Sequence, residues 1–301
     1  MSTTSPARPV AAAEAAVTGL GDRQHDDPAA PGGGRGRRGL LRSPLLRRVT
    51  IRVASAGVVV LVWWAVSAWG TPDPTLRPSP ALVWRTLVDL STLQDGGYNG
   101  LTWWQHLQIS LGRVALGTAI GVAAGLVLGL AMGVITPLRI GLEPLLTFVR
   151  NLPPLAYFSL VVIWFGIDET PKIILLAIAA LPPVAVVTAG AVLGAPVALV
   201  EAGRSIGLGR LAVVRRVVIP SALPEVLTGI RLSVAIAYSS VVAAETINGL
   251  PGIGGMVRDA QAYNNTAVVI VGILAIGTSG LVIDSLITTV AARVTPWRGH
   301  T

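Results

Sequence analysis

The segment Glu201–Pro224, EAGRSIGLGRLAVVRRVVIPSALP, is basic, polar and punctuated by Gly and Pro, and long apolar runs flank it on both sides. Its meaning depends on those flanks. Of 301 residues, 52% are hydrophobic and 13% charged, and the mean hydropathy is +0.68. Soluble domains carry roughly 25% charged residues. The chain therefore reads as an all-α, polytopic membrane protein, and the segment as a projection from one membrane face.

The net charge of +8 does not by itself imply nucleic acid, and no nucleic-acid partner is expected. In a membrane protein the placement of arginine carries the information. There is no cysteine, which excludes disulfides and thiolate metal sites. Met1 to Gly39 has no apolar core, so no signal peptide is expected. Residues 1–48 are rich in Ala, Pro, Gly and Arg and are expected to be a disordered basic tail. Its end, Arg35 to Arg52, reads as a topology signal beside anionic lipid.

A span needs about 20 apolar residues. Six stretches qualify or nearly so: Val53–Trp69, His106–Ile135, Ile140–Phe165, Pro171–Val192, Glu225–Ile247 and Ala267–Arg293. Between the first two, TPDPTLRPSP leads into a short amphipathic helix expected from Ser79, with Pro80 in its first turn. Thr170-Pro171 reads as the cap and first turn of the fourth span. Pro153-Pro154 and Pro182-Pro183 are expected to break the third and fourth spans. The organisation is thus a tail (1–48), a first span with an outer amphipathic segment (49–104), a core (105–293) containing the loop 193–224, and a short tail (294–301).

Six spans place both ends on one side. The loops on that side hold Arg35, Arg37, Arg38, Arg42, Arg47, Arg48, Arg52, Arg139, Arg204, Arg210, Arg215, Arg216, Arg293 and Arg298. The other side holds Arg77, Arg85, Lys172 and Arg258, diluted by Asp73, Asp89, Asp95, Asp168, Glu169 and Asp259. The positive-inside rule makes both termini and the opening segment cytoplasmic. Trp69, Trp103, Trp104 and Trp164 fall at the expected outer boundary, where amphipathic rings prefer to sit.

Within the segment, Glu201–Leu208 forms a short helix that Gly207 can end in a left-handed conformation. From Arg210 a second helix places Leu211, Val213, Val214, Val217 and Val218 on one arc, with Ala212, Arg215 and Arg216 opposite. Pro220 is expected to stop it and Ser221 to cap the next span. The segment then resembles the cytoplasmic "EAA" loop of importer permeases of the ATP-binding-cassette class. That pattern runs Glu-Ala-Ala, then a Gly four residues after its third position, then Ile-x-Leu-Pro. Here stand Glu201, Ala202, Gly203 and Gly207, with Val217 and Ile219-Pro220 farther on. Gly203 replaces the usual Ala, which loosens a helix by up to about 1 kcal/mol. LVVIWFGIDETPKIILLAIAALPPVAV (160–186), IPSALPEVLTGIRLSVAIAYSSVVAAETI (219–247) and RVTPWRGH (293–300) are similar to the nitrate, sulfonate and taurine branch of that class.

The resemblance implies a type I importer permease fold in a bacterial plasma (inner) membrane. It implies a homodimer, a cytoplasmic ATPase subunit and an extracytoplasmic substrate-binding protein. It assigns Glu201, Ala202, Gly203, Arg204, Ser205, Ile206, Gly207 and Leu208 to ATPase coupling. The cargo it implies is taurine or another organic sulfonate, with nitrate as an alternative within the class. The residues agree that energy must come from outside: no G-x-x-x-x-G-K-[ST] loop exists, and the sole lysine, Lys172, follows a proline. No cofactor is expected on this chain; ATP and Mg would be used by the partner.

Arg150 and Asn151, about ten residues into the third span, and the breaks at Pro153, Pro154, Pro182 and Pro183 are candidates for a translocation path. The intramembrane acids Glu245 and Asp284 are expected to pair with Arg231, Arg113 or Arg150, with gating as a second reading. Gly121, Gly125, Gly129 and Gly133 form a stripe suited to close helix packing, inside the chain or at a dimer seam. No nucleophile with a base, paired carboxylates or His cluster motivates catalysis or a metal site. A secondary transporter driven by an ion gradient is the rival from another class; it calls for an inverted repeat, and none is visible.

Overall fold

The computed structural model describes residues 44–69, 75–92, 97–248 and 251–297. The chain falls into two compact units, Met1–Ser55 and Ala56–Thr301. Of the first, only the beginning of helix α1 (Pro44–Ala68) is described. That helix starts inside the stretch expected as tail, since proline is tolerated in a first turn. Residues 1–43 of the expected tail, and 298–301, lie outside the described residues.

The described elements are all helical. After α1 come α2 (Pro80–Asp89), α3 (Trp103–Val134), α4 (Thr136–Asn151), α5 (Pro154–Phe165), α6 (Glu169–Leu193) and α7 (Val197–Ser205). Then follow α8 (Arg210–Val213), a π-helical turn (Val214–Val218), α9 (Ile219–Asn248), α10 (Ile253–Ala262) and α11 (Thr266–Val294). Five stretches are long and apolar enough to cross a membrane: Thr50–Ala68, α3, α6, Arg210–Ile247 and α11. The third expected span is the pair α4 and α5, bent by 99° at Leu152-Pro153. Among the described residues there are therefore five candidate spans, or six if the bent pair counts as one.

Several starts follow from local chemistry. Ser79 accepts from Leu82 N (3.3 Å) with Pro80 in the first turn of α2. Thr102 and Gln105 form a reciprocal capping box at α3. The start of α6 differs from expectation: Asp168 holds the cap position, and Thr170-Pro171 lies inside the first turn.

Packing centres on α3, α6 and α9. Gly117 faces Leu176 and Gly133 faces Val192, so α3 and α6 run parallel. A Cβ at Gly121 would lie 2.4 Å from Ala177 O, at Gly125 2.8 Å from Leu181 O, and at Gly129 2.5 Å from Ala185 O. The glycine stripe is thus an internal seam, and the two backbones touch along it. Helix α9 runs the other way: Gly229 meets Val187, and Ala237 and Val241 pack with Val114 and Leu176. Helix α11 is antiparallel to α9, through Tyr238 with Ser279 and Arg231 with Asp284. Helices α2 and α10 cover the start of α11 through Val83, Leu90, Met256, Ala267 and Val271.

Two proline expectations are corrected. Helix α6 is not broken at Pro182-Pro183; both prolines are buried and the helix continues through them. Packing on α3 and α9 holds the turn despite the lost backbone donors. Pro220 does not stop the helix before it either. The preceding turn is widened, with Ile219 N bonding to Val214 O, so the helix needs neither the missing N–H nor the space the ring occupies. Ser221 bonds back to Val218 O (2.9 Å) instead of capping.

The seam makes a direct prediction. Gly121→Ala should destabilise the detergent-solubilised protein by about 1–3 kcal/mol. Gly141→Ala, where a Cβ meets nothing within 4 Å, should not. Thermal unfolding of both variants checks this, and equal melting temperatures would refute the seam.

Candidate functional site

The segment Glu201–Pro224 folds, with the turn before it, into a knob at the end of the bundle where α3 and α6 finish. Pro196 precedes α7, and Gly207 (φ +83°) ends it in the left-handed region that favours glycine. Gly207 N bonds to Arg204 O (2.9 Å) and Leu208 N to Gly203 O (3.1 Å), closing the helix end. Ser205 Oγ donates to Glu201 O (3.0 Å). Gly203 is buried; a Cβ there would meet Val217 and Val213 at 3.4–3.6 Å, ordinary contact, so alanine fits. The base of the knob is Val213 and Val218 packed on Ala191, Val192, Ala222 and Val226. Outward stand Glu201, Ala202, Arg204, Ser205 and Ile206, with Leu208 half-buried. Leu211 does not join the buried arc: it is 81% exposed, and Ile206 78%. The knob thus carries two bare apolar side chains above a packed base. At about 100° per residue Leu211 lies roughly 160° from Val213, so burying Val213 turns Leu211 outward.

At the opposite end, α3, α6, α9 and the loop before α10 converge on buried charge. Arg113, on α3, donates through Nη1 to Glu245 Oε1 (2.5 Å), and these side chains are 5% and 0% exposed. Its Nε and Nη2 grip Glu169 bidentately at 2.5 and 2.6 Å. Glu245 also accepts from Ser110 Oγ (2.8 Å) and Gly254 N (2.9 Å). Ser110 Oγ in turn accepts from Ile253 N (2.9 Å). His106 Nδ1 accepts from Gly252 N (3.2 Å), which leaves Nε2–H to donate to Tyr98 O (2.9 Å). Gly252 (φ +155°) admits no side chain, since a Cβ would sit 2.5 Å from the Glu245 carboxyl carbon. Lys172, fully buried, lies 3.6 Å from Glu169 Oε1; among the described residues its Nζ has no hydrogen-bond partner. Two cations and two anions are thereby gathered from three helices. Sequence reasoning assigned Glu169 and Lys172 to an outer loop and left His106 isolated.

The other candidates separate. Arg150 and Asn151 are exposed in the last turn of α4, beside exposed Pro153 and half-buried Pro154 at the 99° elbow. Arg150 has no ion-pair partner among the described residues. Pro182 and Pro183 are buried and distant in sequence from any chain break. Arg231 grips Asp284 bidentately at 2.5 and 2.6 Å, and a cavity lies to each side of the pair.

A bundle with a basic projecting knob and no ATP-binding loop restricts the family. Residues 121–296 match the family described as "Binding-protein-dependent transport system inner membrane component". The chain belongs to that family. It is an inner-membrane, multi-pass permease component of the ATP-binding-cassette importers, in their nitrate, sulfonate and taurine branch. It is a transport subunit for small solutes; in such systems ATP and Mg are used by a separate ATPase subunit. It is similar to the taurine transport system permease protein TauC of Escherichia coli (strain K12), 37% identical over 259 residues, 86% of this chain and 94% of that one. The putative aliphatic sulfonates transport permease protein SsuC of Bacillus subtilis (strain 168) is 32% identical over 241 residues, 80% and 85%. The nitrate import permease protein NrtB of Leptolyngbya laminosa is 30% identical over 260 residues, 86% and 92%. Among solved structures, a chain of an amino acid ABC transporter superposes with a TM-score of 0.53 at 20% identity, covering 64% of this permease and 92% of that chain. That likeness speaks for the fold.

The charge network predicts a stability effect. Glu245→Ala leaves the buried donors Arg113 Nη1, Ser110 Oγ and Gly254 N without their acceptor while Arg113 keeps Glu169, which should cost about 2–3 kcal/mol. Denaturant unfolding in detergent measures it. A loss under about 1 kcal/mol would mean that the network is not closed as described.

Proposed function

We propose that two copies of this permease form the membrane path of an ATP-driven importer for taurine or another small organic sulfonate, with both termini in the cytoplasm. A soluble binding protein delivers the cargo at the end carrying α2 and α10. Two ATPase subunits grip the α7 knobs at the other end. The observation that carries this reading is the knob: nine helical residues locked by Pro196 and Gly207, seated on buried valines, presenting Glu201, Arg204, Ile206 and Leu211 outward. Closure of the ATPase pair pushes a rigid element, and α7 passes the displacement to α9 through Val200 and Leu208, which pack on the cluster of Val213, Val218, Ala222 and Val226. The similarity to the taurine permease, at 37% identity, supports that cargo. Nitrate, favoured by the similarity to a nitrate permease, is the second reading.

The path runs past the elbow of α4 and α5. Arg150 and Asn151 stand exposed there, beside Pro153 and Pro154, and supply a transient cationic contact for an anionic group. Pro182 and Pro183 are buried inside the continuous α6 and are left out of the cargo contact.

Glu201→Lys should abolish uptake of radiolabelled taurine and loosen co-purification of the ATPase, with membrane insertion intact. Normal uptake in that variant sinks the docking role. Gly203→Ala should retain uptake and raise stability by about 0.5–1 kcal/mol. Uptake of labelled nitrate but not taurine by the intact system would transfer the cargo assignment to the second reading.

A further inference from the structure

We propose that Arg231 and Asp284 form an intramembrane cargo subsite for a small zwitterion, with an oxyanion at one end and an ammonium at the other. The inference rests on the importer reading above and deepens it.

Two ion pairs between spanning helices invite comparison. Arg113 and Glu245 are 5% and 0% exposed, as expected of charges that hold helices together. Arg231 and Asp284 are 49% and 45% exposed, although both lie within spanning stretches of α9 and α11. Charges inside a membrane almost always face the bundle interior or a water-filled cavity. Two cavities adjoin this pair. One, of about 350 Å³, is walled by Val187, Gly229, Leu232 and Ala235 and reaches both charged groups. The other, of about 270 Å³, is walled by Leu227, Thr288, Ala291 and Thr295 and reaches Arg231. Arg231 and Thr228 belong to both, so a solute crossing from one cavity to the other passes the pair.

The pair also sets what can stop there. A plain anion drawn to Arg231 meets the carboxylate of Asp284, and a plain cation drawn to Asp284 meets the guanidinium. A zwitterion replaces both partners at once. The guanidinium fork takes two oxyanion oxygens, and the carboxylate takes the ammonium. The site stays neutral before, during and after, and no charge is left uncompensated in the membrane. Arg231 and Asp284 close on each other again as cargo leaves, so the subsite competes with its own ligand and cannot become a trap.

The test measures binding of radiolabelled 2-aminoethanesulfonate to the purified permease–ATPase complex without binding protein. In the wild type, propane-1-sulfonate and ethylamine should each compete about tenfold or more weakly than the zwitterion. In Asp284→Asn the preference for the zwitterion over propane-1-sulfonate should collapse to about one, and Arg231→Lys should weaken zwitterion binding about tenfold. Equal competition by propane-1-sulfonate in the wild type, absence of zwitterion binding there, or variants within about twofold of wild type overturn the subsite. The wild-type competition needs no variant to fold. Binding as described, with no uptake of 2-aminoethanesulfonate by the complete system, overturns the cargo reading and not the subsite.

Discussion

The contact between α3 and α6 sustains the rest of the molecule. In a bilayer there is no hydrophobic force between helices, because lipid tails are as apolar as leucine. Association has to come from close packing. Gly117, Gly121, Gly125, Gly129 and Gly133 remove every side chain from one face of α3, and the carbonyls of Ala177, Leu181 and Ala185 fill the space. Thirty-two residues of α3 and twenty-five of α6 thereby act as one parallel rod pair. Helix α9 lies against both, so anything attached to the two ends of these helices is held in fixed register.

The two ends are built from opposite materials. At one, Arg113, Glu169, Lys172 and Glu245 are clustered, and backbone donors of Gly252, Ile253 and Gly254 are tied to His106, Ser110 and Glu245. A buried ion pair adds little net stability over an apolar replacement. Its geometric effect here is to bind the loop before α10 to three helices at once. At the other end, the knob has an apolar base and a charged, apolar-tipped top. The knob and the charge cluster stand at opposite ends of the same helices, and α6 is continuous between them.

Two proline pairs with the same composition have different outcomes. Pro153-Pro154 sits where α4 and α5 have few neighbours, and the chain turns by 99°. Pro182-Pro183 is clasped by the glycine seam and α9, and the helix stays continuous. Packing decides whether a missing backbone donor becomes a bend. The same contrast separates the closed Arg113–Glu245 pair from the open Arg231–Asp284 pair.

What the sequence by itself determined is local. Runs of about twenty apolar residues, the Ser79-Pro80 cap, the left-handed Gly207 and the four-residue glycine period each depend on neighbours along the chain. Span positions, the knob and the helix-packing stripe were legible for that reason. Only the tertiary structure decided which charges meet. Arg113 reaches Glu169 across 56 positions, and Ser110 reaches Glu245 across 135. Glu169 and Lys172 stand at a span edge, where sequence reads solvent; helix packing buries Lys172 fully and leaves Glu169 half exposed. Leu211 is exposed for a related reason: it lies at the edge of its apolar arc, on the far side of the helix from Val213, and tertiary packing buries Val213.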